Sequence, residues 1–81
     1  MPALVRMYSR RRCGLCDEAR AVIADVGRTV PLRFDEVFVD GDDDLERRYG
    51  IRVPVVEVAG EEAFEIAVDA GALAARLRSG G

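Results

Sequence analysis

Cys13 and Cys16 stand two residues apart behind the triplet Arg10-Arg11-Arg12, and they are the two cysteines of an 81-residue chain. Two thiols at this spacing suit thiol–disulfide exchange, in which one attacks a disulfide and the other closes a ring and releases the product. An apolar run from Ala3 to Tyr8 precedes them, and from Gly14 the apolar period becomes helical, so the pair falls at a strand-to-helix junction. A helix start leaves N–H groups unpaired and carries a partial positive charge, which favours an anion. A cysteine there ionises more readily than a free thiol of pKa about 8.5, and each unit of lowering is worth roughly 1.4 kcal/mol toward the nucleophilic thiolate. Cys13 is expected at the helix start and Cys16 about one turn further in. Cys13 is therefore the candidate attacking thiol and Cys16 the resolving one. Asp17 and Glu18 in the first turn work against the thiolate, and the arginines and helix end are expected to outweigh them modestly. Other readings make the cysteines a buried apolar pair or half of a zinc site. Without histidine, one chain cannot complete four zinc ligands here, and no metal site is expected.

The elements that must hold this pair follow from periodicity. Residues 3–8 read as a buried strand. Leu15, Ala19, Val22, Ile23 and Val26 recur at helical spacing up to Gly27. Residues 32–39 alternate unevenly and predict a strand with a bulge near Asp35. Asp42 to Tyr49 reads as a short helix, acidic at its start and basic at its end, with Leu45 and Tyr49 as its buried stripe. Its acids could form a metal loop, but their spacing does not match a calcium site. Val53–Val58 reads as a strand interrupted by Pro54, which should open it or lie at an edge. A turn at Ala59-Gly60-Glu61-Glu62 leads to a strand from Ala63 to Val68 with Phe64 and Ile66 on one face. Asp69 caps a last helix that carries Leu73, Ala74 and Leu77, and Ser79-Gly80-Gly81 is expected to fray. Tyr8 and Tyr49 are expected in the core with their hydroxyls at its rim. The order β-α-β-α-β-β-α predicts an α/β fold with a four-stranded mixed sheet flanked by helices.

Composition bounds the rest. A chain of 81 residues with 49% apolar content forms one small domain, expected over residues 1–81. A net charge of −3 argues against a nucleic-acid binder, and all 12 basic residues are arginine, for which the chemistry offers no functional account. No apolar stretch approaches the ~20 residues of a membrane span, and the N-terminus goes straight into a strand-like run instead of a signal peptide. A secreted domain this small would carry several bridges, so one close pair of cysteines points to the cytoplasm. A monomer is expected.

With these residues in place, the chain resembles the thioredoxin superfold and, within it, the glutaredoxin-like proteins. Tyr8 to Cys16 is similar to the family's strand end, basic residue and Cys-x-x-Cys. Arg52-Val53-Pro54 resembles its Thr-Val-Pro segment, and Gly60 falls at its last turn. The resemblance implies a disulfide reductase acting on protein disulfides or glutathione mixed disulfides, with no bound cofactor and with glutathione as a possible reductant. It implies a cis Pro54 facing the cysteines and, with Val53, presenting a backbone edge to substrate, whereas the residues alone favour a trans strand-opening proline. It favours Arg10 as the arginine acting on the thiol. Gly14, which lets substrate approach closely, and Leu15 complete the expected substrate contacts. Gly14-Leu15 replaces the family's Pro-Tyr, and its Gly-Gly after the last strand is absent. Only Asp69 is left as a partner for a glutathione amine, with helix capping the alternative role. Two rival functions keep the fold: a glutathione-assisted iron–sulfur carrier bridged by Cys13 of two chains, and a redox-inactive binding module.

Overall fold

A computed structural model describes residues 2–79. In chain order it holds β1 (Ala3–Ser9), α1 (Gly14–Gly27), β2 (Leu32–Phe38), α2 (Asp43–Tyr49), β3 (Val55–Val58), β4 (Glu61–Glu65) and α3 (Ala70–Ser79). The four strands form one sheet in the order β2-β1-β3-β4. The helical crossover through α1 makes β2 parallel to β1, whereas β3 runs antiparallel to β1 and pairs antiparallel with β4. The expected mixed sheet and element order are therefore present.

Side chains alternate across β1, so Val5 and Met7 fall on one face and Tyr8 on the other. On the first face Val5, Met7, Val56 and Val58 meet Ala19, Ile23 and Val26 of α1 and Leu73 of α3. On the second, Tyr8 stacks on Tyr49 of α2 with ring centroids 4.0 Å apart and an interplanar angle of 14°. Capping side chains start the helices: Asp42 Oδ1 accepts the Leu45 N–H at 3.0 Å, and Asp69 Oδ2 accepts the Ala72 N–H at 2.8 Å. Among the described residues no helix is long and apolar enough to cross a membrane.

Four expectations change. The bulge near Asp35 is absent: β2 keeps an unbroken register with β1 from Ala3↔Leu32 to Ser9↔Phe38. Its uneven pattern comes instead from its edge position and its ion pairs. Arg6 meets Asp35 at 2.8 Å, and Arg20 Nε donates to Glu36 at 3.0 Å. The irregularity lies between β3 and β4, whose register steps from Val56↔Phe64 to Glu57↔Glu62 and skips Ala63. Second, β3 begins only at Val55, after the proline. Third, β4 ends at Glu65, so Ile66 leaves the strand at φ +72° and is 42% exposed, while Phe64 packs on the core. Fourth, Leu15 is not in the buried stripe of α1, which is Cys16, Ala19, Ile23 and Val26. At the C-terminus, Ser79 ends α3, and the rest of the frayed end expected there lies outside the described residues.

The hairpin turn comprises Ala59 and Gly60 alone, at φ +53° and +87°, between the paired Val58 and Glu61. Two successive positive φ values define the primed turn that matches strand twist, and alanine is poorly suited to its first position. Ala59→Asn, which tolerates that conformation, is expected to raise the melting temperature by about 2–5 °C in a thermal scan. An unchanged or lower value would remove the strain at Ala59.

Candidate dithiol site

The site forms where β1 runs out. After Ser9 the chain turns through Arg10–Arg12, with Arg12 at φ +55°, and reaches Cys13 in an extended conformation at φ −117°, ψ 108°. Cys13 is the N-cap of α1, and its Sγ accepts the Cys16 N–H at 3.2 Å, the place an anion takes at a helix start. Both cysteines are free thiols; Cys13 is partly exposed and Cys16 fully buried. Burial first, and then the hydrogen bond to Cys13, pushes the Cys16 thiol up to about 11, while the Arg10 backbone N–H and the charge of Arg20 pull the other way. The neutral thiol is thus the resting form of Cys16. Its contribution to stability is complete below the unfolded value of 9.0 and is lost as pH rises through about 11. In a Cys13→Ser variant, burial still acts on Cys16. Alkylation of Cys16 should then rise about tenfold per pH unit through pH 9 without levelling. A plateau below pH 9 would contradict the assignment.

The three arginines have separate fates. The Arg10 guanidinium turns to α2, donating from Nε to the Gly50 carbonyl at 3.1 Å and pairing with Glu46 at 2.7 Å. The family resemblance favours its side chain as the charge acting on the thiol; the structure commits that guanidinium to Glu46 and Gly50 instead. Arg11 lies over the Phe38 ring at 4.7 Å, and its backbone N–H donates to Asp40 at 3.0 Å. Arg12 has no acidic partner within 4.0 Å among the described residues. Asp17, expected to oppose the thiolate, is paired with Arg20 at 2.8 Å.

Beneath the cysteines lies a trio that periodicity did not expose. Arg20, one turn after Cys16, binds Glu36 of β2, which also accepts the hydroxyl of the fully buried Ser9 at 2.7 Å. Pairing with Arg20 holds the Glu36 carboxyl below its usual range, against an opposing effect of burial. The available sequence signal was the four-residue spacing of Cys16 and Arg20 on one helix face.

Of the expected substrate contacts, Val53 joins Cys13 and Cys16 in one cluster with Tyr8, Val39, Tyr49 and Val55. The Val53–Pro54 peptide is cis, as the family resemblance implied. Pro54 is itself buried, and the Val53 N–H and C=O make no backbone hydrogen bond among the described residues. Gly14 faces open space, with no atom within 4 Å of the position a Cβ would take. Leu15 points elsewhere: 46% exposed, it lines a groove of about 90 Å³ with Val22, Ile66 and Val68. The groove's far wall is strained. The Ala67 N–H donates to the Glu65 carbonyl at 2.8 Å across Ile66, closing a γ-turn at positive φ that a β-branched residue rarely adopts. The Ile66 N–H is anchored to the Pro54 carbonyl at 2.8 Å, which ties this wall to the cis-proline loop.

A mixed sheet with a cis proline beside a helix-capping Cys-x-x-Cys defines the thioredoxin fold class. A thioredoxin variant from Halobacterium salinarum shares that fold, with a TM-score of 0.65 at 24% identity over 95% of this chain and 73% of the other. The sequence matches the Glutaredoxin-like domain (DUF836) over residues 4–78, and the chain belongs to that family. It is similar to protein XcR50 from X. campestris, 38% identical over 93% of this chain and 96% of that one, with a TM-score of 0.78. It is also similar to Ne2328 from Nitrosomonas europaea, 26% identical over 95% and 93% of the two chains, with a TM-score of 0.83. A local stretch of 40 residues is 48% identical to shikimate kinases of Burkholderia lata and Burkholderia thailandensis, and this chain spans only 22% of their length. That stretch brings no phosphate-cradling Gly-x-x-x-x-Gly-Lys loop, because all 12 basic residues are arginine.

Proposed function

We propose that the chain is a thiol–disulfide oxidoreductase in which Cys13 attacks and Cys16 resolves. The observation that carries this reading is the asymmetry of the pair: Cys13 is reachable and caps the helix, whereas Cys16 is buried one turn behind it. The Cys13 thiolate displaces one sulfur of a substrate disulfide, which leaves as a thiolate, and a mixed disulfide forms at Cys13. Cys16 then loses its proton and attacks the Cys13 sulfur. The second substrate thiolate leaves, and two electrons have passed to the substrate as the Cys13–Cys16 disulfide closes. A thiol donor, either glutathione or the dithiol of a reductase, must return them.

The groove beside Leu15 and Ile66 and the unpaired backbone of Val53 favour an extended peptide disulfide as substrate, with a glutathione mixed disulfide as the smaller alternative. For glutathione, Asp69 offers its carboxylate, one oxygen of which already caps α3. A reducing compartment such as the cytoplasm fits a lone close pair of cysteines. The deciding experiment oxidises the protein and supplies, in parallel, glutathione with glutathione reductase and thioredoxin with thioredoxin reductase. Return of both thiols to alkylation under one supply identifies the donor. Failure of Cys13 and Cys16 to form a reversible disulfide at all would sink the reading.

A further inference from the structure

β2 is an edge strand, and its backbone shows which residues face outward. The Val39 N–H donates to the Ser9 carbonyl at 2.9 Å, so the odd-numbered positions of this strand turn their backbone groups toward β1. Leu32, Phe34, Glu36 and Phe38 therefore turn theirs away from the sheet. Among the described residues these outward groups make no other backbone hydrogen bond. Proteins usually blunt such an edge by shortening it, bulging it, or placing proline or charged side chains on it, and of these devices β2 has only the charges of Arg33, Asp35 and Glu36. Here the strand runs seven residues in unbroken register, without internal proline, and carries Phe34 and Phe38 at 41% and 37% exposure. Arg33 beside Phe34 is exposed and has no acidic partner within 4.0 Å among the described residues.

We propose that β2 pairs antiparallel with β2 of a second copy of this chain about a twofold axis at Phe34, joining the two four-stranded sheets into one. The outward backbone of Phe34 makes it a hydrogen-bonded pair with its own symmetry mate, with the two rings side by side. The neighbouring positions are then non-hydrogen-bonded pairs, where facing side chains come closest. Those positions set Arg33 of each copy against Asp35 of the other, twice. Asp35 meets Arg6 through Oδ2, which leaves Oδ1 for this contact. Charge also selects the register. Moving the axis by one residue sets Asp35 against Asp35 or Arg33 against Arg33, and like charges directly opposite repel. The arrangement replaces the single copy expected from the sequence. It sends the two dithiols to opposite ends of the shared sheet, so neither is covered and no cluster spans them.

Sedimentation of the iron-free protein over a concentration series tests this. A reversible monomer–dimer equilibrium is expected. Arg33→Asp alone and Asp35→Arg alone should each weaken it at least tenfold, because like charges then face each other. An equimolar mixture of the two variants should regain association, since both positions again oppose unlike charges. Phe34→Pro removes an outward N–H without touching the β1 ladder; it should abolish the dimer while circular dichroism stays native, and it decides the matter should Asp35→Arg fail to fold. A monomer up to about 1 mM would overturn the proposal. So would a dimer indifferent to Phe34→Pro, or one that forms only with iron bound.

Discussion

Cys13→Ser is expected to lower disulfide reduction by at least about a thousandfold, because serine offers no comparable anion at the cap of α1. Cys16→Ser should behave differently. The first attack at Cys13 is intact, so the variant accumulates mixed disulfides with substrate, visible as adducts by intact-protein mass spectrometry and released by reductant. The contrast between the two variants is the informative measurement, since any general damage to the fold would affect both alike. Reduction retained by Cys13→Ser would refute the assignment of the attacking thiol. Loss of activity in Cys16→Ser without adducts would remove the resolving role.

Leu73→Ala is expected to cost about 2–5 kcal/mol and to lower the melting temperature by about 10–30 °C. Leu73 is fully buried and is the one buried residue of α3; Ala74 and Leu77 are only partly so. A domain of this size has roughly 4–12 kcal/mol of stability in all, so the change removes a large share of it. Ile51→Ser is the control. Ile51 is 96% exposed, and its replacement should stay within about 0.5 kcal/mol. Equal melting shifts for the two variants would contradict the burial pattern.

Much of this architecture can be read without coordinates, and the places where reading fails share a cause. The strand-to-helix junction at Cys13, the stop at Gly27 and the cap at Asp69 are set by residues close in sequence, and local rules find them. Leu15 and Cys16 are adjacent and both apolar, so a period of 3.6 residues cannot tell which turns inward. Packing against Val39, Tyr49 and Val53 makes the choice, and places the smaller side chain inside. The charges of β2 look like a break in a strand because Arg6 and Arg20, which neutralise them, are distant in sequence. Arg10 looked like a charge for the thiol until Glu46 and Gly50 took its guanidinium. Ile66 defies propensity outright, since nothing about a β-branched residue announces a left-handed backbone.

The bonds of Arg10 also bear on how the site meets a substrate. One guanidinium fastens the segment leading into Cys13 to the end of α2, four residues before the cis peptide at Val53–Pro54. On the proposed reading, the two segments that would flank a substrate are thus already joined before it arrives. Docking there, as proposed, would then cost little ordering of these two segments.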